Sequence, residues 1–243
     1  MAIGLPHFLP SEMNFWISKR GSIPITDNHR ILITGINGFI GNALAEAIRN
    51  KGYDVWGIDI ASNHDRQVIG VNLLDRSAFA EVYKKIPQCS VLIHTAALAH
   101  GQKPPKGETV ITTNLKITDN VLEFFGKRTT DIIILSSVAV YGEDNRKNPV
   151  LVGDIQRPST DYGKSKLICE DHVLKSDIKN CTILRLAPVY DENHMMDIRK
   201  RVFLPVLPIK MRIIPTPKYS LTSIDTVISC VVRIISQKLE GKN

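Results

Sequence analysis

The chain lacks most features that mark a special compartment or a repeated architecture. It holds four cysteines in 243 residues, Cys89, Cys169, Cys181 and Cys230. No C-x-x-C pair brings two of them together, so neither a zinc centre nor a disulfide framework is indicated and no metal site is expected. Reduced, buried thiols are expected instead. No apolar run approaches the roughly 18 residues that a membrane span needs, and there is no internal repeat or low-complexity tract. The opening MAIGLPHFLPSEMNFWISKR breaks its apolar stretches with prolines and Glu12, unlike a secretory signal. A cytoplasmic address is the expectation.

What remains is an ordinary globular composition, 43% hydrophobic and 23% charged, long enough to bury the core of one domain or of one domain and a small lobe. The net charge of +7 admits an anionic partner: nucleic acid, a membrane surface or a phosphorylated small molecule. A solvated basic face accounts for it equally well. Basic residues gather in RKRVFLPVLPIKMR, 199–212, without a recognised nucleic-acid motif, so no nucleic-acid partner is expected.

From Arg30 the pattern becomes regular. RILITG is a β-branched run followed by glycines, and FIGNALAEAIRNKG has helical apolar spacing that stops at Gly52. YDVWGIDI, SVLIHTAA, DIIILSS and CTILRLAPV predict four further strands. DRSAFAEVYKKI, opened by Asp75, TNLKITDNVLEFFGKR, and STDYGKSKLICEDHVLKS, with Ser159 or Thr160 near its cap, predict the intervening helices. This alternation predicts an α/β fold, a doubly wound parallel sheet of Rossmann type with helices on both faces. After Tyr190 the alternation is lost and the chain is expected to be irregular to about 220, followed by a last helix over SIDTVISCVVRIIS. Three parts are thus expected: an arm over 1–28, a Rossmann domain over 29–190, and over 191–243 a small, reduced or cut-short substrate lobe with the last Rossmann strand and helix.

TGINGFIG places Gly35, Gly38 and Gly41 directly after the first strand and into the first helix, the context of a dinucleotide site. Gly35 permits the tight turn, Gly38 lets backbone approach a pyrophosphate, and Gly41 lets helix and strand pack closely. The helix N-terminus supplies N–H groups to the anion, and Asn37, Phe39 and Ile40 share that turn. Asp59 ends the second strand, where a carboxylate accepts both ribose hydroxyls and repels a 2′-phosphate. NAD is therefore expected over NADP.

DYGKSKLICE puts Tyr162 four places before Lys166, on one helical face. Beside an oxidised nicotinamide, an ammonium next to a phenol favours the phenolate, and a Tyr so tuned moves protons near neutral pH. The glycine motif, Asp59, SSVAVYG and YGKSK together resemble the extended short-chain dehydrogenase/reductase family, in its NAD-dependent nucleotide-sugar epimerase/dehydratase branch, over about residues 30–236. The resemblance implies that Ser137, Tyr162 and Lys166 are catalytic, with Ser137 and Tyr162 on the substrate oxygen and Lys166 on the nicotinamide ribose. It places Asn72, where Asp is usual, and Leu73 beside the adenine, Ala96 and Ala97 along the pyrophosphate and ribose, Asn114 behind that turn, and Val189 near the nicotinamide. Tyr141 and His94 are structural by the same resemblance. It further implies a homodimer through helices spanning about 107–127 and 160–177.

Departures from the family pattern narrow the activity. Val138 and Ala139 stand where sugar dehydratases carry an Asp-Glu pair, so elimination is not expected. An epimerase of a nucleotide sugar is the first expectation and a reductase of a 4-keto nucleotide sugar the second. A non-catalytic NAD-binding sensor or scaffold is the contrary reading. RLAPVYDE has Pro188 for the usual Asn and Asp191 for the usual Gly, and Pro188 lacks a donor for a substrate diphosphate. Lys218 is expected to face a substrate phosphate where Arg is usual.

Overall fold

Successive side chains of a strand point to opposite faces of its sheet, and that alternation sorts the helices into two layers. The computed structural model describes residues 16–19, 30–99, 102–142, 149–178, 180–195, 203–206, 209–212 and 220–239. In β2 (Arg30–Thr34), Leu32 joins a core with Phe79, Val82, Val121, Phe125 and Val173, while Ile31 and Ile33 join a second core with Leu44, Ile48, Val227, Val231 and Ile235. The first core lies under α2 (Arg76–Lys85), α3 (Val110–Val121) and α4 (Asp161–Lys175). The second lies under α1 (Phe39–Asn50) and α5 (Ile224–Leu239). Each fully buried Val or Ile contributes about 1.5–3 kcal/mol, so α5 belongs to the core of the Rossmann unit.

The sheet runs β1 (Trp16–Lys19), β7 (Cys181–Leu186), β6 (Asp131–Ser137), β5 (Val91–His94), β2, β3 (Asp54–Asp59), β4 (Val68–Gly70). β2 to β7 are parallel, with Leu32 of β2 opposite Trp56 of β3 and Leu92 of β5. The chain builds outward from β2 to β4, then returns to β5 and builds the other way. The reversal opens a crevice between β2 and β5, where a doubly wound sheet takes its ligands.

The structure holds three strand pairings that the sequence pattern does not show. Within the arm over 1–28, Trp16–Lys19 docks on the domain by pairing antiparallel with β7, Trp16 opposite Leu184. Four residues are too few to show a period, but they cover an otherwise open edge. β4 was also missed, being three residues long. The stretch expected to be irregular holds an antiparallel hairpin, β9 (Phe203–Val206) with β10 (Ile209–Arg212), whose prolines obscure the alternation. β8 (Val189–Tyr190) pairs parallel with β11 (Thr222–Ser223), which leads the chain into α5.

The helix ends follow the sequence signals. Asp75 caps α2 by accepting from Ser77 and Ala78 N–H, Thr160 caps α4 by accepting from Gly163 N–H, and α1 stops before Gly52, whose φ is +86°. Beyond its regular turns α3 continues as one π turn, Leu122–Gly126. Among the described residues no helix is long and apolar enough to cross a membrane.

Candidate functional site

Backbone makes the first wall of the crevice. Gly35 has φ +72° and donates its N–H to Ile58 O at 2.8 Å. A Cβ there would come within 2.8 Å of Ala96 Cα, so Ala96 and Ala97, just after β5, are held tight against the turn. Thr95 secures them, its hydroxyl donating to Thr34 O at 2.7 Å. A Cβ on Gly41 would meet Gly35 O at 2.1 Å. Gly38 is the N-cap of α1 and no side chain caps the helix, whose first turn holds no acidic residue. The N–H groups of Phe39, Ile40 and Gly41 therefore remain for an anion. A pyrophosphate fits this cradle in size and charge.

Asp59 closes the turn from the next strand. Its carboxylate accepts from Asn37 N–H at 2.8 Å and Ile60 N–H at 2.7 Å, and the Asn37 amide donates to Ala61 O at 3.0 Å. The remaining lone pairs suit ribose hydroxyls. Asn72 is exposed, and its amide oxygen already accepts from Leu74 N–H at 3.0 Å, leaving one lone pair for an adenine amine. Leu73 is buried in the core beneath α2, so only its backbone can reach a base. Asn114 is 2% exposed and bonded through both ends of its amide: it accepts from Leu98 N–H at 2.6 Å and donates to Leu98 O and Ser165 Oγ. Its side chain ties the segment after β5 to α4.

His94 lies between Thr34 Oγ1 at 2.7 Å and Thr118 Oγ1 at 3.2 Å, linking β2, β5 and α3. Burial, with the Lys166 charge nearby, pushes its imidazole down to about 3, so it stays neutral and structural.

The second wall carries the expected chemistry. Ser137 ends β6, with its hydroxyl accepting from Ala139 N–H at 3.2 Å. Gly163, next to Tyr162, lies so close to this turn that a Cβ would reach Ala139 O at 2.5 Å. α4 therefore starts directly against the Ser137 turn. Lys166 is buried, with Nζ 5.8 Å from the centre of the Tyr162 ring and donating to Leu135 O at 3.0 Å. Burial raises the Tyr162 phenol and lowers the Lys166 ammonium.

Tyr141 is buried, accepting from Arg185 Nη1 at 2.6 Å, as a structural residue should be. Val189 is half-buried in β8. Lys218 lies outside the described residues. Sequence reasoning missed a contact beyond Val189: Asp191 accepts from the N–H groups of Asn193 and His194 and pairs with His194 Nδ1 at 2.8 Å, and the His194 ring stacks on Phe39 at 4.0 Å. The only signal was an Asp-x-x-His spacing.

Known proteins share this fold. UDP-glucose 4-epimerase of Thermus thermophilus, solved with NAD, superimposes with a TM-score of 0.68 at 19% identity, over 86% of this chain and 75% of that one. ADP-L-glycero-D-manno-heptose-6-epimerase of Helicobacter pylori gives 0.65 at 22% identity, over 86% and 74%. At those identities the likeness is one of fold. In sequence the chain is 28% identical over 172 residues to the human mitochondrial protein named inactive L-threonine 3-dehydrogenase, covering 68% of this chain and 73% of that one. It is 27% identical over 190 residues to the bovine methionine adenosyltransferase 2 subunit beta, covering 76% of this chain but 53% of that one. With its glycine cradle, Asp59 and the Ser137, Tyr162 and Lys166 group, and with the family's sequence pattern spanning residues 31–236, this chain belongs to the NAD dependent epimerase/dehydratase family.

Proposed function

We propose that the chain is an NAD-dependent epimerase of a nucleotide sugar, acting at a carbon that alternates between alcohol and ketone. The observation that carries this reading is the placement of Tyr162 and Lys166, one helical turn apart, where α4 meets the Ser137 turn at the end of β6. Bound NAD supplies the hydride acceptor, and its oxidised ring brings a positive charge that would lower the Tyr162 phenol from the raised value burial gives it. Gly35, Gly38 and Gly41 would hold its pyrophosphate and Asp59 its ribose. Ser137 donates a hydrogen bond to the substrate oxygen, and Tyr162 takes and returns the hydroxyl proton. Lys166, fixed by Leu135 O, keeps a cation beside the phenol. Val138 and Ala139 offer no acid or base for elimination. Reduction of a 4-keto nucleotide sugar uses the same groups and is the runner-up. The reading also pairs α3 and α4 with a second copy of the chain as a homodimer.

The test is to incubate NAD-loaded protein with uridine and thymidine diphosphate sugars, following reduced-nicotinamide absorbance and separating the products. Tyr162→Phe removes one hydroxyl and little volume, so it should keep NAD while slowing turnover by about 10²–10⁴-fold. Equal turnover by both proteins would sink the assignment of Tyr162, and no turnover of any sugar by the wild type would favour the non-catalytic reading. Asp59→Ala should relax a preference for NAD over NADP. Calorimetry showing that the wild type prefers NADP would overturn the role given to Asp59.

A further inference from the structure

Behind the candidate site, three successive residues of β6 are each tied by a hydrogen bond. Leu135 O accepts from Lys166 Nζ, Ser136 Oγ donates to the Glu170 carboxylate, and Ser137 Oγ accepts from Ala139 N–H. Lys166 and Glu170 are one helical turn apart, so α4 is stitched to β6 at two adjacent levels. Arg185 of β7 grips Glu170 from the other side, with Nε to Oε1 at 3.0 Å and Nη2 to Oε2 at 2.6 Å. Its Nη1 donates to Tyr141 Oη at 2.6 Å and to Val152 O at 3.3 Å. Ser136, Tyr141, Glu170 and Arg185 are 5%, 2%, 1% and 4% exposed. One closed network therefore joins β6, the turn after it, the segment leading into α4, α4 itself and β7.

Stability alone is a poor reason for such a network, because replacing a buried ion pair with apolar side chains is often neutral or favourable. A forked guanidinium–carboxylate contact does, however, fix orientation as well as distance. A single hydrogen bond from the flexible Lys166 stem cannot fix a helix in that way. We propose that Ser136, Glu170 and Arg185 are positioning residues that set the register of α4 against β6, and with it the placement of Tyr162 and Lys166 relative to Ser137. This rests on the reading that those three groups move the proton. The network also reaches the start of α4, because Val152 belongs to the segment that ends at the Thr160 cap. The titratable groups around Lys166 are His94, Tyr162, Cys169 and Glu170; burial lowers the ammonium, and Cys169 and then Glu170 act against that.

Ser136→Ala removes the stitch to β6 and leaves the Glu170–Arg185 pair intact. Ser136→Thr restores the hydroxyl and should behave as wild type. The measurement is the phenolate absorbance of NAD-loaded protein against pH, taken as the difference from the same protein carrying Tyr162→Phe, which isolates one phenol and needs no sugar substrate. With Lys166 less well placed, the Tyr162 titration should move up by about one pH unit in Ser136→Ala, with NAD affinity unchanged and the thermal midpoint lowered by no more than about 4 °C. Identical titrations in wild type, Ser136→Ala and Ser136→Thr would overturn the positioning role and leave the network structural. A wild-type phenol that titrates near 10 or above with NAD bound would remove the proton-transfer reading itself, and the inference with it.

Discussion

The β2–β3 side of the crevice is made of backbone: three glycines, an uncapped helix end and one carboxylate that accepts from the turn it faces. The β6–β7 side is made of buried polar side chains that satisfy one another across four elements. The two walls should fail differently. A backbone cradle tolerates almost any change outside it but no added atom within it. A polar network tolerates shape-preserving changes but not the loss of one partner, because the survivor is left buried and unpaired.

Gly41→Ala should have the largest effect, since its Cβ would lie 2.1 Å from Gly35 O, a backbone atom that cannot swing aside. A cost of ~3 kcal/mol in unfolding free energy is expected, with NAD binding weakened by about 100-fold. Denaturant unfolding and calorimetry would check both. Undiminished NAD affinity would mean that the turn yields, and that the rigidity attributed to this wall is absent.

His94 lies between β2 and α3, and its effect should appear only with pH. Its folded value of about 3 lies below the unfolded value near 6.5. The unfolded chain therefore takes up a proton first as pH falls. The stabilising effect of keeping His94 neutral is present above pH ~6.5 and is lost as pH falls toward 3. Between pH 6.5 and 5 the loss is ~2 kcal/mol from this group. Urea unfolding of wild type and His94→Gln at pH 7 and pH 5 gives the difference. An equal pH dependence in both proteins would show that His94 binds its proton as readily in the fold as in the unfolded chain, and that burial does not hold it neutral.

What the sequence discloses follows the same division. The glycine turn is legible because all its parts lie within eight residues and the conformations they require are special. Asp59 is legible because a strand end has a defined place in a doubly wound sheet. Tyr162 and Lys166 are legible as a helical spacing, and Ser137 through its motif. The network behind them is not, because Ser136 and Glu170 lie 34 residues apart and Glu170 and Arg185 lie 15 apart on different elements. Nothing local distinguishes such residues from solvated ones. The bond from Asn114 is hidden for the same reason: its partner Ser165, 51 residues away, becomes visible only when α3 and α4 are packed together. β1 and β4 were missed through their length, since neither offers enough residues to display an alternation.

The smallest effect is expected where a side chain from beyond β8 touches the backbone wall. His194 stacks on Phe39 at 4.0 Å with the rings 23° apart, and its side chain is 54% exposed. Stacked pairs contribute about 0.5–1.5 kcal/mol beyond their area, and exposure places this one at the lower end. In His194→Ala the Asp191 carboxylate keeps the two N–H groups of its own turn, so the segment should hold its shape while losing its grip on Phe39. Phe39 would still offer its N–H to a pyrophosphate, because that group belongs to α1 and not to the stack. NAD affinity should therefore fall by less than about threefold, a change of ~0.5 kcal/mol, measured by calorimetry alongside His194→Phe, which preserves the stacking. A loss above tenfold in His194→Ala, restored in His194→Phe, would show that the cradle depends on a distant side chain to hold its first helical residue, and the division between a backbone wall and a side-chain wall would no longer stand.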